Sequence, residues 1–232
     1  MTLNTLEFSR MGDLAYQALR DAVLSGEMKP GVRLNQDELA KRLGVRRAPI
    51  RDALKRMEAE GIVKTLSRAG GVVVAEISEQ EVADIYELRS ILDSASTRLA
   101  CERMSGGDLA RLREIVEETE RATKTKNLNG IVQAHADFHY LIYAACGNAE
   151  LTRVARNLWD RSYRFRVMAL SSEENARRGL SQHKAILEAL GARNPQRAAA
   201  LAEDHNRASI QHLRACVAEL RESGSIASSP AA

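Results

Sequence analysis

Between Asn35 and Gly61 the sequence leaves room for little except two short helices around a tight turn. Asn35 offers a side-chain acceptor to an unpaired backbone N–H, and Glu38, three residues on, completes the pattern of a capping box. Leu39 and Leu43 mark the expected buried side of the first helix, and Gly44 supplies the left-handed residue that ends it. In the second helix Ile50, Ala53, Leu54 and Met57 share one stripe by their three- and four-residue spacing. Arg47, Arg51 and Lys55 recur every four residues on a different side. From Lys41 to Arg56 there are seven basic residues, Arg46 among them, against the single acid Asp52. An ordinary helical hairpin with a solvated charged face fits this pattern. So does a helix-turn-helix whose second helix enters the major groove of DNA.

The residues that follow favour DNA. Gly61 ends the helix, Ile62-Val-Lys64 and Val72-Val-Val-Ala75 have strand composition, and Ser67-Arg-Ala-Gly-Gly71 is a turn between them. Such a hairpin is a wing, bringing Arg68 and the Gly70-Gly71 backbone to phosphate or the minor groove, where missing side chains permit close approach. Arg68 as a solvated turn residue is the alternative. Upstream, Leu14, Ala18, Leu19, Val23 and Leu24 give a first helix ending near Gly26, Met28-Lys-Pro-Gly31 a turn, and Val32-Arg-Leu34 a short extended link. Residues 1–9 are expected to be flexible, and residues 10–77 to be a winged helix-turn-helix. Charge agrees: residues 10–77 hold thirteen Lys or Arg against nine Asp or Glu, whereas residues 78–232 hold twenty-one of each.

Ser78 with Glu81 opens a long helix along which Val82, Ile85, Leu88, Leu92, Ala95 and Leu99 line up. Breaks follow at Ser105-Gly-Gly107, Lys126-Asn127, Gly147-Asn148, Ser171-Ser172 and Gly191–Pro195, the last with Asn194 and Pro195 as an N-cap and first-turn pair. They divide residues 78–221 into about six helices, and residues 222–232 read as a disordered tail. The fold class is therefore mainly α: a winged helix-turn-helix followed by an all-α bundle. Cys101, Cys146 and Cys216 are widely spaced, with no Cys-x-x-Cys pair, and read as small core residues in a reducing cytoplasm. No export signal or membrane-spanning run is present, so a cytoplasmic location without membrane association is expected.

All five histidines fall in the helical half. His135 and His139 are four apart on one helix, a spacing that lets both hold one ion. His183 and His205 lie inside apolar patterns on the last two helices, and a bundle can converge such residues in its core. Hydrogen-bonded core or surface histidines are the plainer alternative, and His212 is a more distant rival ligand. Neutral imidazoles suit zinc, nickel or another first-row metal. His135-Ala-Asp-Phe-His139 lacks the Glu that a zinc protease helix places after its first His, and neither a Gly-x-Ser-x-Gly elbow nor a phosphate loop is present.

Both halves, in this order, resemble the GntR family of bacterial transcription regulators, and the second resembles the FCD ligand-binding domain of its FadR subfamily. The resemblance spans about residues 10–220. It rests on Gly26-Glu-Met-Lys-Pro-Gly-Val-Arg-Leu34, Glu38-Leu-Ala-Lys-Arg-Leu-Gly-Val45, Pro49-Ile-Arg-Asp-Ala-Leu54 and Glu60-Gly-Ile-Val63, then on Tyr86-Glu-Leu-Arg89, Phe138-His139, Gly147-Asn148, His183-Lys-Ala-Ile-Leu-Glu-Ala-Leu190 and His205. About six C-terminal helices rather than seven point to the VanR-like branch. The resemblance implies that Arg47 and Arg51 read or clamp DNA with Arg46 at the start of the recognition helix, where the family usually has Ser or Thr. Gly70 stands where the family's wing usually carries Arg. The family's metal ligands map onto His135, His139, His183 and His205, with His at 135 replacing the usual Asp, and its effectors imply a small carboxylate. Arg89 is the first candidate clamp for that carboxylate, because a guanidinium binds both oxygens at once; one of Arg161, Arg164 and Arg166 is a second.

Together these features imply a homodimeric transcription regulator, most often a repressor in such families. It would bind a pseudo-palindromic double-stranded operator and respond to a small carboxylate at a divalent metal site, zinc or nickel. A metal-dependent enzyme carrying a DNA-binding domain, and a regulator whose metal is purely structural, are the alternatives.

Overall fold

The computed structural model describes residues 3–24, 27–66, 71–76 and 79–222. Two compact units divide it, one within Met1–Ser78 and the other spanning Glu79–Glu222.

The first unit runs α1 (Leu3–Leu24), β1 (Arg33–Leu34), α2 (Gln36–Leu43), α3 (Arg47–Ala59), β2 (Val63–Leu66) and β3 (Gly71–Val74). α1 begins at Leu3 rather than after residue 9, because no Pro or Gly interrupts Leu3 to Met11 and nothing there stops a helix. Ala15, Tyr16 and Leu19 of α1 are buried with Ile50, Ala53, Leu54 and Met57 of α3, the stripe read from the sequence, and the two helices pack together. The Tyr16 hydroxyl donates to Glu60 Oε2 at 2.6 Å while the Arg56 guanidinium lies 3.7 Å from the Tyr16 ring centroid. These contacts tie α1 to the C-terminal end of α3.

Asn35 caps α2, its Oδ1 accepting from the N–H groups of Asp37 at 2.9 Å and Glu38 at 3.4 Å, without the reciprocal Glu38 bond of a capping box. Gly44 closes the helix at φ 65°. Leu43, expected on the buried side, is 38% exposed. α2 has only two turns, its inward positions are Leu39 and Ala40, and Leu43 sits at its last position, where the chain leaves the core. The sheet order is β1-β3-β2, all antiparallel, with Arg33 opposite Val73 and Lys64 opposite the same Val73 from the other side. The expected extended link at residues 32–34 is thus a third strand. Gly31, at φ 81°, turns the chain so that its N–H reaches the Val74 carbonyl at 2.9 Å.

The second unit comprises α4 (Glu79–Arg103), α5 (Gly106–Lys124), α6 (Leu128–Ala145), α7 (Ala149–Arg161), α8 (Tyr163–Leu170), α9 (Glu173–Gly191) and α10 (Pro195–Glu222). The breaks read from the sequence are capped starts. Ser105 and Asp108 form a capping box, Asn127, Asn148 and Ser172 each accept a backbone N–H, and Asn194 accepts from Arg197 ahead of Pro195. Seven helices are present among the described residues rather than about six, so helix number gives no ground for the VanR-like branch. The extra boundary is Ser162, a buried residue at φ −84°, ψ 2° between α7 and α8, marked by neither Gly nor Pro. The expected capping box at Ser78 falls outside the described residues, and Glu81 pairs with Arg164 of α8.

Phe138, Ile142, Leu112, Ile186, Leu190 and Ala198 meet in one core, and α4 lies along α10. The stripe expected along α4 holds at Val82 and Ile85, is lost at Leu88, and returns only in part at Leu92, Ala95 and Leu99, which are half-buried. Leu88 is 51% exposed and Ile91 60%, whereas Arg89, Asp93, Ser96 and Thr97 point inward. A polar inward face on a bundle's longest-packed helix marks a cavity rather than a core. Cys101 and Cys146 are buried as expected; Cys216 is partly exposed, 3.4 Å from His212 Nε2. Among the described residues no helix is long and apolar enough to cross a membrane.

Candidate DNA-reading surface and metal centre

α3 presents its basic side to solvent because its opposite stripe is consumed by the core. Arg46 occupies the N-cap position with extended backbone, φ −75° and ψ 163°, and makes no side-chain capping bond. Arg47 begins the helix, its Nε 2.8 Å from Asp37 Oδ1, with both side chains about two-thirds exposed. An exposed pair of this kind contributes little to stability and gives way readily to phosphate. Arg51, one turn on, is exposed and 4.0 Å from Asp52. Arg47, Arg51 and Lys55 line one wall of an open groove of about 760 Å³, whose other wall is Arg33, Thr65, Gly71 and Val72 from the sheet. Gly71 starts β3; Arg68 lies outside the described residues.

In the helical unit α6 carries His135 and His139, α9 carries His183, and α10 carries His205. All four are buried, and one donor atom from each lies within 4.8 Å of the others. Ring centroids are 4.5 Å apart for His135 and His183, and 5.0 Å for His183 and His205. Phe138 stacks on His183 at 3.9 Å, and Trp159 lies 4.2 Å from His139.

The nitrogens carry a sign of what they are for. His139 Nε2 and both nitrogens of His183 are buried with no hydrogen-bond partner, a costly arrangement that a metal would resolve. His205 Nδ1 lies 2.9 Å from Gln182 Oε1. A carbonyl oxygen only accepts, so Nδ1 carries the proton and Nε2 presents its lone pair to the cluster, the outer-shell pattern that orients metal-binding imidazoles. Burial first, and then the neighbouring imidazoles, hold His135, His139 and His183 well below the usual histidine range. Burial and the Arg89 charge bring His205 down to about 3. Four neutral imidazoles fit a borderline first-row divalent ion.

Against this cluster lies a small cavity of about 20 Å³, lined among others by Arg89, His135, Arg166, Arg178, Gln182 and His205. Arg89 is buried, with Nη2 3.3 Å from Asp93 Oδ2 and Nη1 3.3 Å from Ser162 Oγ. Burial, the largest single influence, pulls its pKa down, but Asp93 together with Tyr86 and Tyr143 outweighs it and holds the pKa raised. Arg166 donates to the Trp159 carbonyl and, at 2.8 Å, to Ser162 Oγ. Burial and the like charge of Arg89 lower it to about 10. The two guanidinium carbons lie 4.3 and 4.2 Å from the Trp159 ring centroid, and the Nε of each is buried without a partner. Asp93 is saturated: besides Arg89 it accepts from Asn206 Nδ2 at 2.9 Å and from the Tyr143 hydroxyl. Two buried cations thus face one fully engaged carboxylate, so the cavity carries unbalanced positive charge.

Of the three arginines left open by the sequence, Arg166 faces the cavity, Arg164 is paired with Glu81, and Arg161 is exposed. His212 stands apart from the four-histidine cluster, beside Cys216. Sequence reasoning missed Asp93, Ser162, Trp159 and Gln182. Asp93 had a signal, four residues after Arg89; Trp159 had one too, as the single tryptophan.

Comparison with known proteins agrees with this division. Residues 12–73 match the bacterial regulatory proteins of the gntR family and residues 84–208 match the FCD domain. The HTH-type transcriptional regulator YdhC of Bacillus subtilis is 27% identical over 208 residues, covering 89% of this chain and 92% of that protein. The HTH-type transcriptional repressor GlaR of Escherichia coli is 28% identical over 215 residues, covering 88% and 93%. Among solved structures, a GntR transcriptional regulator from Rhodococcus sp. RHA1 superposes with a TM-score of 0.69 at 21% identity, covering 89% of this chain and 98% of that one. Escherichia coli McbR/YncC gives 0.66 at 23%, covering 92% and 98%. These relatives are regulators rather than enzymes, and the chain, with its winged helix-turn-helix and its FCD domain, belongs to the GntR family of bacterial transcription regulators, in the FadR-like subfamily.

Proposed function

We propose that this regulator is a homodimeric repressor whose hold on a pseudo-palindromic operator is set by a small organic acid bound beside a divalent metal, zinc or nickel. Residues 10–77 bind DNA through Arg46, Arg47, Arg51, Arg68 and Gly71, and residues 78–221 bind the effector. The observation that carries this proposal is the pairing of four buried neutral imidazoles, two of which, His139 and His183, have nitrogens without a partner, with an adjacent cavity of unbalanced positive charge. A divalent ion there supplies a Lewis-acidic position for a carboxylate oxygen. Arg89 and Arg166 provide the second hold, their buried Nε groups being donors without acceptors. Repression is supported by the description of GlaR as a repressor. A homodimer is supported by Leu88 and Ile91 on α4 and Val154 on α7, apolar and exposed on adjacent packed helices.

α8 offers a route from effector to DNA. Arg166 faces the cavity while Arg164, two residues earlier, holds Glu81 in the first turn of α4. An acid drawing on Arg166 loads α8, and the Arg164–Glu81 pair passes that load to the start of the helix that follows the wing in sequence. The response requires that the acid bind the two states with different affinity.

The test is direct. Duplexes selected from a random library are titrated with protein of known metal content, with and without a panel of mono-, di- and tricarboxylates. The expected result is that one acid changes duplex affinity, that His139→Ala with His183→Ala removes both metal and response, and that Arg47→Ala with Arg51→Ala abolishes binding. Retained affinity in the arginine double variant refutes the DNA assignment. An affinity unmoved by any acid, with metal present, supports a purely structural metal instead.

A further inference from the structure

We infer that Arg33, on β1, is a further phosphate-binding arm of the DNA interface, and that position 71 is glycine chiefly to give the Arg33 guanidinium its place. The inference rests on the DNA-binding reading and extends it to a residue outside both the recognition helix and the wing hairpin.

Successive strand residues point to opposite faces, and here Leu34 is buried and Arg33 exposed. It stands opposite Val73, which Lys64 flanks from the other side, so one row of the sheet reads Arg, Val, Lys. Gly71 lies two residues before Val73 on the same face. A Cβ built on Gly71 would lie 2.7 Å from Arg33 Nε and 2.9 Å from Nη2, closer than real side chains approach. The guanidinium therefore rests on the bare Gly71 backbone. There it lines the same groove as Arg47, Arg51 and Lys55. The one acid of that groove, Glu58, is occupied, its Oε1 accepting from Thr65 N at 3.1 Å. Four cations on two walls, against one acid in the lining and with Arg47 and Arg51 held only by exposed pairs to Asp37 and Asp52 that give way to phosphate, form a surface for a polyanion that is straddled from both sides. Duplex phosphates, placed by α3 in its groove, have that form.

Gly71 does not have a positive φ, so alanine is tolerated by the backbone and its methyl displaces only the flexible end of Arg33. This separates two roles for the glycine. If it serves Arg33, Gly71→Ala weakens DNA binding in the wild type and adds nothing in an Arg33→Ala background. If DNA itself approaches the Gly71 backbone, the alanine weakens binding in both.

The experiment measures dissociation constants of the full-length protein for a mixed-sequence 30-base-pair duplex across a salt series. The variants are Arg33→Ala, Arg33→Lys, Gly71→Ala, the Arg33→Ala/Gly71→Ala pair, and Arg47→Ala as reference. Arg33→Ala is expected to lower the magnitude of the log–log salt slope by about 0.9 per binding site lost, and Arg33→Lys to retain the slope. Gly71→Ala is expected to reproduce part of the loss, and the pair to match Arg33→Ala alone. An unchanged slope in Arg33→Ala while Arg47→Ala lowers it overturns the inference and leaves the DNA reading intact. No salt-dependent binding by the wild type removes both. Additive losses in the pair overturn the role given to Gly71. Unfolding midpoints equal to wild type show that Arg33, an exposed residue, acts on binding and not on folding.

Discussion

Replacing Asp93 by alanine is expected to destabilise the helical unit by about 3–5 kcal/mol, the cost of removing one partner from a buried ion pair. A separate count from the bonds agrees. Asp93 accepts from Arg89, Tyr143 and Asn206. Asn206 keeps an alternative acceptor, the Ala202 carbonyl at 3.2 Å, so two buried donors lose their partner, at about 1–3 kcal/mol each and more for the charged one. The loss is a large fraction of the roughly 5–15 kcal/mol that holds a domain together. Urea unfolding followed by circular dichroism and by Trp159 fluorescence measures it. The single tryptophan sits 4.3 Å from Arg89 and so reports on this unit. With m near 1–3 kcal/mol/M, the midpoint falls by roughly 2 M. Replacing both charges, Arg89→Met with Asp93→Leu, is expected to cost much less, because no unpaired charge is left behind. A change below about 1 kcal/mol for Asp93→Ala would refute the reasoning, since it would mean that Arg89 is not relying on a buried counter-charge.

Two further outcomes follow from single groups. Arg46→Ser restores a side-chain acceptor at the α3 N-cap, which now has none; it is expected to raise stability by about 1 kcal/mol while weakening duplex binding, and a stability decrease in urea would contradict the cap assignment. In the metal-free protein the four buried histidines titrate below their unfolded value, His205 at about 3, so the unfolded chain takes up more protons as pH falls. Stability is full above about pH 6.5 and is lost below it by up to about 1.4 kcal/mol per histidine per pH unit; equal urea midpoints at pH 7.5 and 5.5 would show that the imidazoles are not buried neutral.

What the sequence made legible and what it hid differ by physical cause. The α3 stripe, the Gly44 stop and the Asn194-Pro195 start depend on residues within one turn of each other, and local pattern carried them. The four histidines were legible by type and by apolar surroundings, although only the structure brings α6, α9 and α10 to one point. Leu88, read as part of the buried stripe, broke the periodicity on α4. That helix has apolar residues on its exposed side and Arg89, Asp93, Ser96 and Thr97 on its inward side, and hydropathy alone assigns the opposite orientation. Arg33 read as a link residue because the strand it belongs to exists only through its pairing with β3.

Among the described helix boundaries, the one without a sequence signal also bonds to both cavity arginines, and this has a physical basis. Ser162 donates its hydroxyl proton to the Trp159 carbonyl at 2.8 Å and accepts from both Arg89 and Arg166. The interruption is held by a tertiary bond from Arg89 and a local one from Arg166 four residues on, and no propensity of the residues at the break encodes the first. A ligand that draws either guanidinium toward itself must therefore weaken a bond to the residue joining α7 and α8. Local rules fail at Ser162 because its bonds are made to the same groups that the proposed effector would compete for.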